Sequence, residues 1–131
     1  MKIIYAFAIA AVAAAFSGCW ARLPSKGPPS IHALVGKTAI VTKKLYIYRD
    51  WDGSRLADSK TEYSNFDYTT PTIDPGEKVK VISIVSRRLP PGLFYYSVLK
   101  PVDSHKPSFD YLIGFGDASN PIQDETLHWI N

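Results

Sequence analysis

Hydrophobic residues follow two different regimes along this chain. From Ile3 to Phe16 they run unbroken for 14 positions, whereas beyond residue 30 they come in short bursts rich in Val, Ile, Tyr and Phe, separated by Pro, Gly and Asp. No stretch after the leader carries the stripe of an amphipathic helix, while period-two alternation recurs. The spacing predicts six strands: Lys37–Thr42, Lys44–Arg49, Lys78–Ser86, Leu93–Leu99, Phe109–Phe115 and Leu127–Ile130. In the second, Leu45, Ile47 and Arg49 share one side, and Tyr46 and Tyr48 the other. In the third, Val79, Val81 and Val85 share one parity, but Ile82 and Ile84 take the opposite one, as in a strand that crosses the middle of a barrel or bends between two sheets. In the fourth, Phe94, Tyr96 and Val98 point together. Asp74-Pro75-Gly76-Glu77 predicts a tight turn ahead of the third strand. Asn120-Pro121 with Gln123-Asp124-Glu125 predicts a short turn before the last. Between Asp50 and Pro75, polar and aromatic residues follow one another with no clear period. The class expected is all-β: a small barrel of five to six strands with one long inserted loop.

The leader is too short to span a bilayer, which takes roughly 20 residues as a helix. Basic Lys2, an Ala-rich apolar core and the small residues Ser17-Gly18 fit a cleavable export signal. Directly after it stands Cys19, the only cysteine of the chain. This junction resembles the bacterial lipoprotein signal: an aliphatic residue, two small residues, then the modified cysteine, with Phe16 here where that family usually has Leu. The resemblance implies cleavage before Cys19, acylation of Cys19, and a domain anchored to a membrane in the periplasm. Two acyl chains already give stable anchoring at ~0.8 kcal/mol per buried methylene, and the family typically carries three. Trp20 stands where an aspartate would favour inner-membrane retention in that family, which implies outer-membrane placement. An ordinary secretory signal that leaves a free thiol is the plainer alternative.

Cleavage gives a signal peptide 1–18, a lipidated tether 19–30 and a barrel domain 31–131. Three prolines and a glycine between Trp20 and Pro29 argue against regular structure there. About ten extended residues at ~3 Å each would hold the domain roughly 30 Å off the membrane. The 113 residues after the leader suit one domain with its own core, and without a second cysteine its stability must come from burial. With 14 Lys and Arg against 12 Asp and Glu, the mature chain is too weakly basic to suggest nucleic acid. Residues 22–88 hold 12 basic and 7 acidic side chains and residues 89–131 hold 2 and 5, a skew that a compact fold intermixes.

The run Thr-Ala-Ile-Val-Thr-Lys-Lys-Leu-Tyr-Ile-Tyr-Arg at 38–49, a long loop, Pro-Gly-Glu-Lys-Val-Lys-Val-Ile at 75–82, Phe-Tyr-Tyr-Ser-Val at 94–98 and a closing strand resemble the bacterial Src-homology-3-like barrel. Matching stretches run from Gly36 to about Phe115, with the closing strand at Leu127–Ile130. The chain departs from that family in its long insertion, Asp50–Ile73, and in having Ile113-Gly114-Phe115 where Gly-Trp-Val is usual. The resemblance implies binding and scaffolding more than catalysis.

The chemistry agrees. Cys19 is taken by the lipid, no Gly-x-Ser-x-Gly elbow occurs, and His32, His105 and His128 lie far apart with no partner at metal-binding spacing. Asp50-Trp51-Asp52-Gly53-Ser54 misses the calcium-loop register, with Gly53 at the fourth position rather than the sixth, and reads as a hairpin tip. The acids cluster in loops, which suits solvation rather than the tuned pair of a glycosidase. No metal, cofactor or enzymatic activity is expected. The one compositional excess is aromatic: 14 rings in the mature chain. Tyr46, Tyr48, Trp51, Tyr63, Phe66 and Tyr68 form the candidate binding face, in the place where such barrels take extended peptides or glycans; rings that merely pack the loop down are the plainer reading. The expectation is a membrane-anchored, non-catalytic module of the cell envelope that binds a protein partner. An inhibitor or immunity lipoprotein against a periplasmic toxin or lysozyme, and a peptidoglycan-binding module, are the alternatives.

Overall fold

The strongest alternating tracts form the frame of the molecule. The computed structural model describes residues 21–49, 53–59, 72–89, 92–116, 121–122 and 124–130. In it, β6 (Lys78–Leu89) and β7 (Gly92–Pro101) make a long antiparallel hairpin, and β8 (Phe109–Phe115) extends the meander. β2 (Thr38–Val41) lies against the start of β6, and β9 (Leu127–Trp129) closes against β2. β3 (Leu45–Arg49) pairs with both β4 (Arg55–Asp58) and β5 (Thr72–Ile73), and β4 meets β8 in parallel. β1 (Arg22–Ser25) runs along the second half of β6. Among the described residues this is one nine-stranded sheet, β5-β3-β4-β8-β7-β6-β2-β9 with β1 off the path. The protein is all-β, its sheet curled into a half-barrel.

Burial explains why these segments pair. Ala39, Val41, Leu45, Ile47, Ile73, Val79, Val81, Leu99 and Phe109 lie on the inner side and form a continuous core with Tyr111, Ile113 and Leu127. Each fully buried Val, Leu, Ile or Phe contributes about 1.5–3 kcal/mol. The mixed parity of the third predicted strand has a local cause. A bulge between Val81 and Ser83 adds one residue to β6. It leaves Ile82 45% exposed and returns Ile84, 3% exposed, to the core. Beyond the bulge, Val85 and Arg87 face the other side of the sheet with Val98 and Asp110, and all four are buried.

All six predicted strands form. Three others and a short helix, α1 (Pro29–His32), correct the expected architecture. The count of five to six strands is too low, because the Asp50–Ile73 insertion contributes β4 and β5. Within β4, Leu56 and Ala57 are both buried. Arg49 lies opposite Arg55, so β3 and β4 pair antiparallel; Asp50, Trp51 and Asp52 of the expected hairpin tip lie outside the described residues.

The irregular tether is also corrected from Arg22 onward. β2 covers only the first part of β6, and the open edge from Ile84 to Arg87 takes up Arg22–Ser25. Pro24 is tolerated because an edge strand has one side with no hydrogen bond to give. Pro29 then opens α1, where a missing N–H costs nothing, and Ile31 enters the core at 0% exposure. Gly114 makes that seat possible: a Cβ there would stand 2.6 Å from Ile31 Cδ1. The folded unit therefore includes residues 22–30, which the expected boundary at residue 31 leaves out.

Candidate functional site

Alternation on β3 sends Leu45 and Ile47 into the core and leaves Tyr46 and Tyr48 half-buried together on the opposite side. Tyr48 stands across from Leu56, and Tyr46 lies between Asp58 and Thr72. Lys44 Nζ lies 5.8 Å from the centre of the Tyr46 ring, a cation–π distance. These two tyrosines are the part of the candidate face that can be placed. Trp51, Tyr63, Phe66, Tyr68 and the lipidation candidate Cys19 lie outside the described residues. The three histidines are exposed and fall on three separate segments. Among the described residues, no three His, Cys, Asp or Glu side chains gather as metal ligands would.

The most concentrated electrostatic feature lies elsewhere. Asp110, 2% exposed, sits on β8 and accepts from two arginines. Arg22 donates through Nε at 2.6 Å and Nη2 at 3.0 Å, and Arg87 through Nη2 at 3.0 Å. Arg22 and Arg87 are direct cross-strand partners on β1 and β6, so like charges would repel there without a shared carboxylate. The Arg87 guanidinium also lies 5.4 Å from the centre of the Tyr96 ring. Beside the cluster, Arg22, Gly53, Ser54, Arg55, Ser108 and Asp110 line a cavity of ≈ 190 Å³. Asp110 already engages Arg22 there, so the arrangement holds β1, β6 and β8 together more than it presents charge to a ligand.

Two further polar clamps tie loops to the curled sheet. Lys106 Nζ donates to the Thr72 carbonyl at 2.8 Å and to the Glu77 carboxylate at 2.9 and 3.0 Å, tying the β7–β8 connection to β5 and to the turn before β6. In that turn, Pro75 precedes Gly76 at φ 95°, a value that glycine adopts freely, and the Glu77 N–H closes on the Asp74 carbonyl at 3.1 Å. Burial pushes the Glu77 pKa up. The Lys106 hydrogen bond and charge, with the Asp74 N–H, outweigh it and hold the carboxyl below its ordinary value. At the other clamp, the Tyr111 hydroxyl donates to Asp124 Oδ2, and the Thr126 N–H donates to Oδ1 at 2.7 Å. Burial again works upward on Asp124, but bonds from Thr126 and Tyr111 and the nearby Lys43 bring its pKa below the usual range. The Tyr111 hydroxyl is driven the other way, by burial first and then by Asp124.

Sequence reasoning missed the Arg22–Asp110–Arg87 cluster. The one signal was Asp110, a charge between the apolar Phe109 and Tyr111, both buried; Arg87, between half-buried Ser86 and exposed Arg88, gave none. No protein-family model, curated protein or solved structure matches the chain.

Proposed function

We propose that this chain is a membrane-anchored lipoprotein of the bacterial envelope, processed and acylated at Cys19, whose β-domain binds a protein partner and catalyses nothing. The observation that carries this reading is the junction: an apolar leader ends in small residues at the sole cysteine, and a strand of the folded domain lies three residues further on at Arg22. The half-barrel supports the finer assignment to the Src-homology-3-like class. Its β9-β2-β6-β7-β8 order brings the closing strand back beside the leading one, with the long insertion between β2 and β6. The carboxylates of Asp110, Glu77 and Asp124 are each engaged in bonds between strands and loops, which suits a scaffold better than an acid–base site. Tyr46 and Tyr48 offer aromatic surface beside the insertion for a partner.

Anchoring is tested by Cys19→Ser in the native host. The expected result is loss of acylation by mass spectrometry and a shift from the membrane fraction to soluble protein or uncleaved precursor. An unchanged membrane fraction with an unacylated wild-type terminus refutes the reading. Binding is tested by photo-crosslinking from position 48 in intact envelopes. A discrete adduct that disappears with Tyr46→Ala supports a partner there, and absence of any adduct argues for packing alone.

A further inference from the structure

We infer that the end of the sheet carrying Arg22, Phe94 and Phe115 docks onto an anionic lipid surface, so that the domain stands on the membrane in one fixed orientation; this rests on the lipoprotein reading above. Pairing across four strands puts Arg22, Arg87, Phe94 and Phe115 in one row. Phe94 and Phe115 meet edge to face, with centroids 5.6 Å apart. Phe115 nevertheless leaves 49% of its surface in water, and Leu23, one place along β1, leaves 54%. Arg88, next to the row, is also exposed. Asp110 bonds both Arg22 and Arg87, so that cluster keeps one net positive charge and Arg88 adds a second. Large exposed apolar groups beside net positive charge are the composition of a membrane-interface contact.

The occupant follows from where the chain leads. Cys19 precedes Arg22 by three residues, which reach at most about 10 Å when extended. Arg22 is fixed in turn by strand pairing and by its two bonds to Asp110. An acylated Cys19 therefore brings this row, and no other end of the sheet, to the headgroup layer. There exposed Arg88 meets lipid phosphates, worth about 1 kcal/mol for a basic residue near an anionic surface. The height of roughly 30 Å expected from a flexible tether falls to about a third of that.

The test uses the full-length acylated protein in vesicles of phosphatidylethanolamine and phosphatidylglycerol, with a fluorophore at Phe115→Cys or, in a second variant, Leu23→Cys. The control label is at Val102→Cys. Val102 is 50% exposed and bonded to Lys78 at the other end of β6, nine residues or about 30 Å from Arg87. Quencher-bearing lipids should quench the labels at 115 and 23 several-fold more than the label at 102. Arg88→Glu should reduce that difference. Equal quenching at all three positions, in protein that is acylated and floats with the vesicles, overturns the docking and leaves the anchor intact. Protein unacylated at Cys19 overturns both. Labels at 115 shielded in detergent without lipid, in proportion to protein concentration, assign the row to a second copy of the chain and overturn the lipid as occupant.

Discussion

Replacing Asp110 with asparagine tests the electrostatic account of the fold most directly. Asn keeps the size of the side chain and one oxygen acceptor while deleting the charge. Arg87, with its side chain 3% exposed, then loses the carboxylate that balances it, and Arg22, its cross-strand neighbour, adds a second cation. Breaking a buried ion pair from one side costs about 3–5 kcal/mol, since the remaining charge keeps its desolvation penalty. The expected loss is in that range, a large part of the 5–15 kcal/mol that typically holds a domain together. Arg22→Ala should be much milder. The Arg22 side chain is 36% exposed, so solvent screens its bridge, and its removal leaves Arg87 and Asp110 as a neutral pair; about 1 kcal/mol is expected. Urea unfolding followed by far-ultraviolet circular dichroism measures both, and the Asp110→Asn melt should fall by about 12–20 °C. In the Asp110→Asn background, Arg22→Ala should cost nothing further, because it relieves repulsion. The double-mutant cycle then gives a coupling of about 1 kcal/mol or more. If Asp110→Asn costs no more than Arg22→Ala alone, the cluster is not what fastens β1 to the sheet.

Gly114→Ala should cost about 1–3 kcal/mol by overpacking against Ile31. Adding Ile31→Val, which removes the clashing Cδ1, should recover part of the loss, although Ile31→Val alone is destabilising; thermal melts of the three variants decide. Glu77→Gln removes a carboxylate whose folded pKa is depressed. The stability it contributes is full above the unfolded value of about 4.3 and is lost as pH falls through the lower folded value. The urea midpoints of wild type and Glu77→Gln should thus differ near neutrality and converge toward pH 3, and a constant gap across that range would count against the Lys106 clamp.

The strands that could be read in the sequence are those whose own side chains pay for their burial. Val79, Val81, Leu99 and Phe109 alternate because one face of β6, β7 and β8 is core, and the edges predicted for those strands lie within three residues of the observed ones. β1 could not be read this way. Arg22, Leu23 and Pro24 are all exposed, and the segment is a strand only because a distant stretch of β6 leaves an edge open. β5 has two residues, too few for any period to register. The tyrosine pair was legible for the same reason as the core, since parity along β3 is a local property. The Asp110 cluster was not, because its members are 23 and 88 residues apart and meet only through the curl of the sheet.

A strand formed three residues after Cys19 changes what a partner would encounter if that residue carries the proposed anchor. With a free ten-residue tether, a domain samples all orientations, and any face can meet a ligand. With β1 in the sheet and Cys19 acylated as proposed, a pull on the lipid would pass within three residues of sequence to the β1–β6 pairing and the bridge to Asp110. In strand order β6, β7, β8 and β4 lie between β1 and β3, and the curl brings Arg22 to the cavity that Arg55 of β4 also lines. Under the proposed anchoring, the Tyr46 and Tyr48 side would be held at a set position relative to the membrane, and a partner confined to the same surface would lose less freedom on binding than one in solution. Inserting a flexible Gly-Ser segment between Trp20 and Ala21 should leave acylation and the melting temperature unchanged while weakening capture of a membrane-bound partner. Unaltered capture would mean that position above the membrane plays no part in recognition.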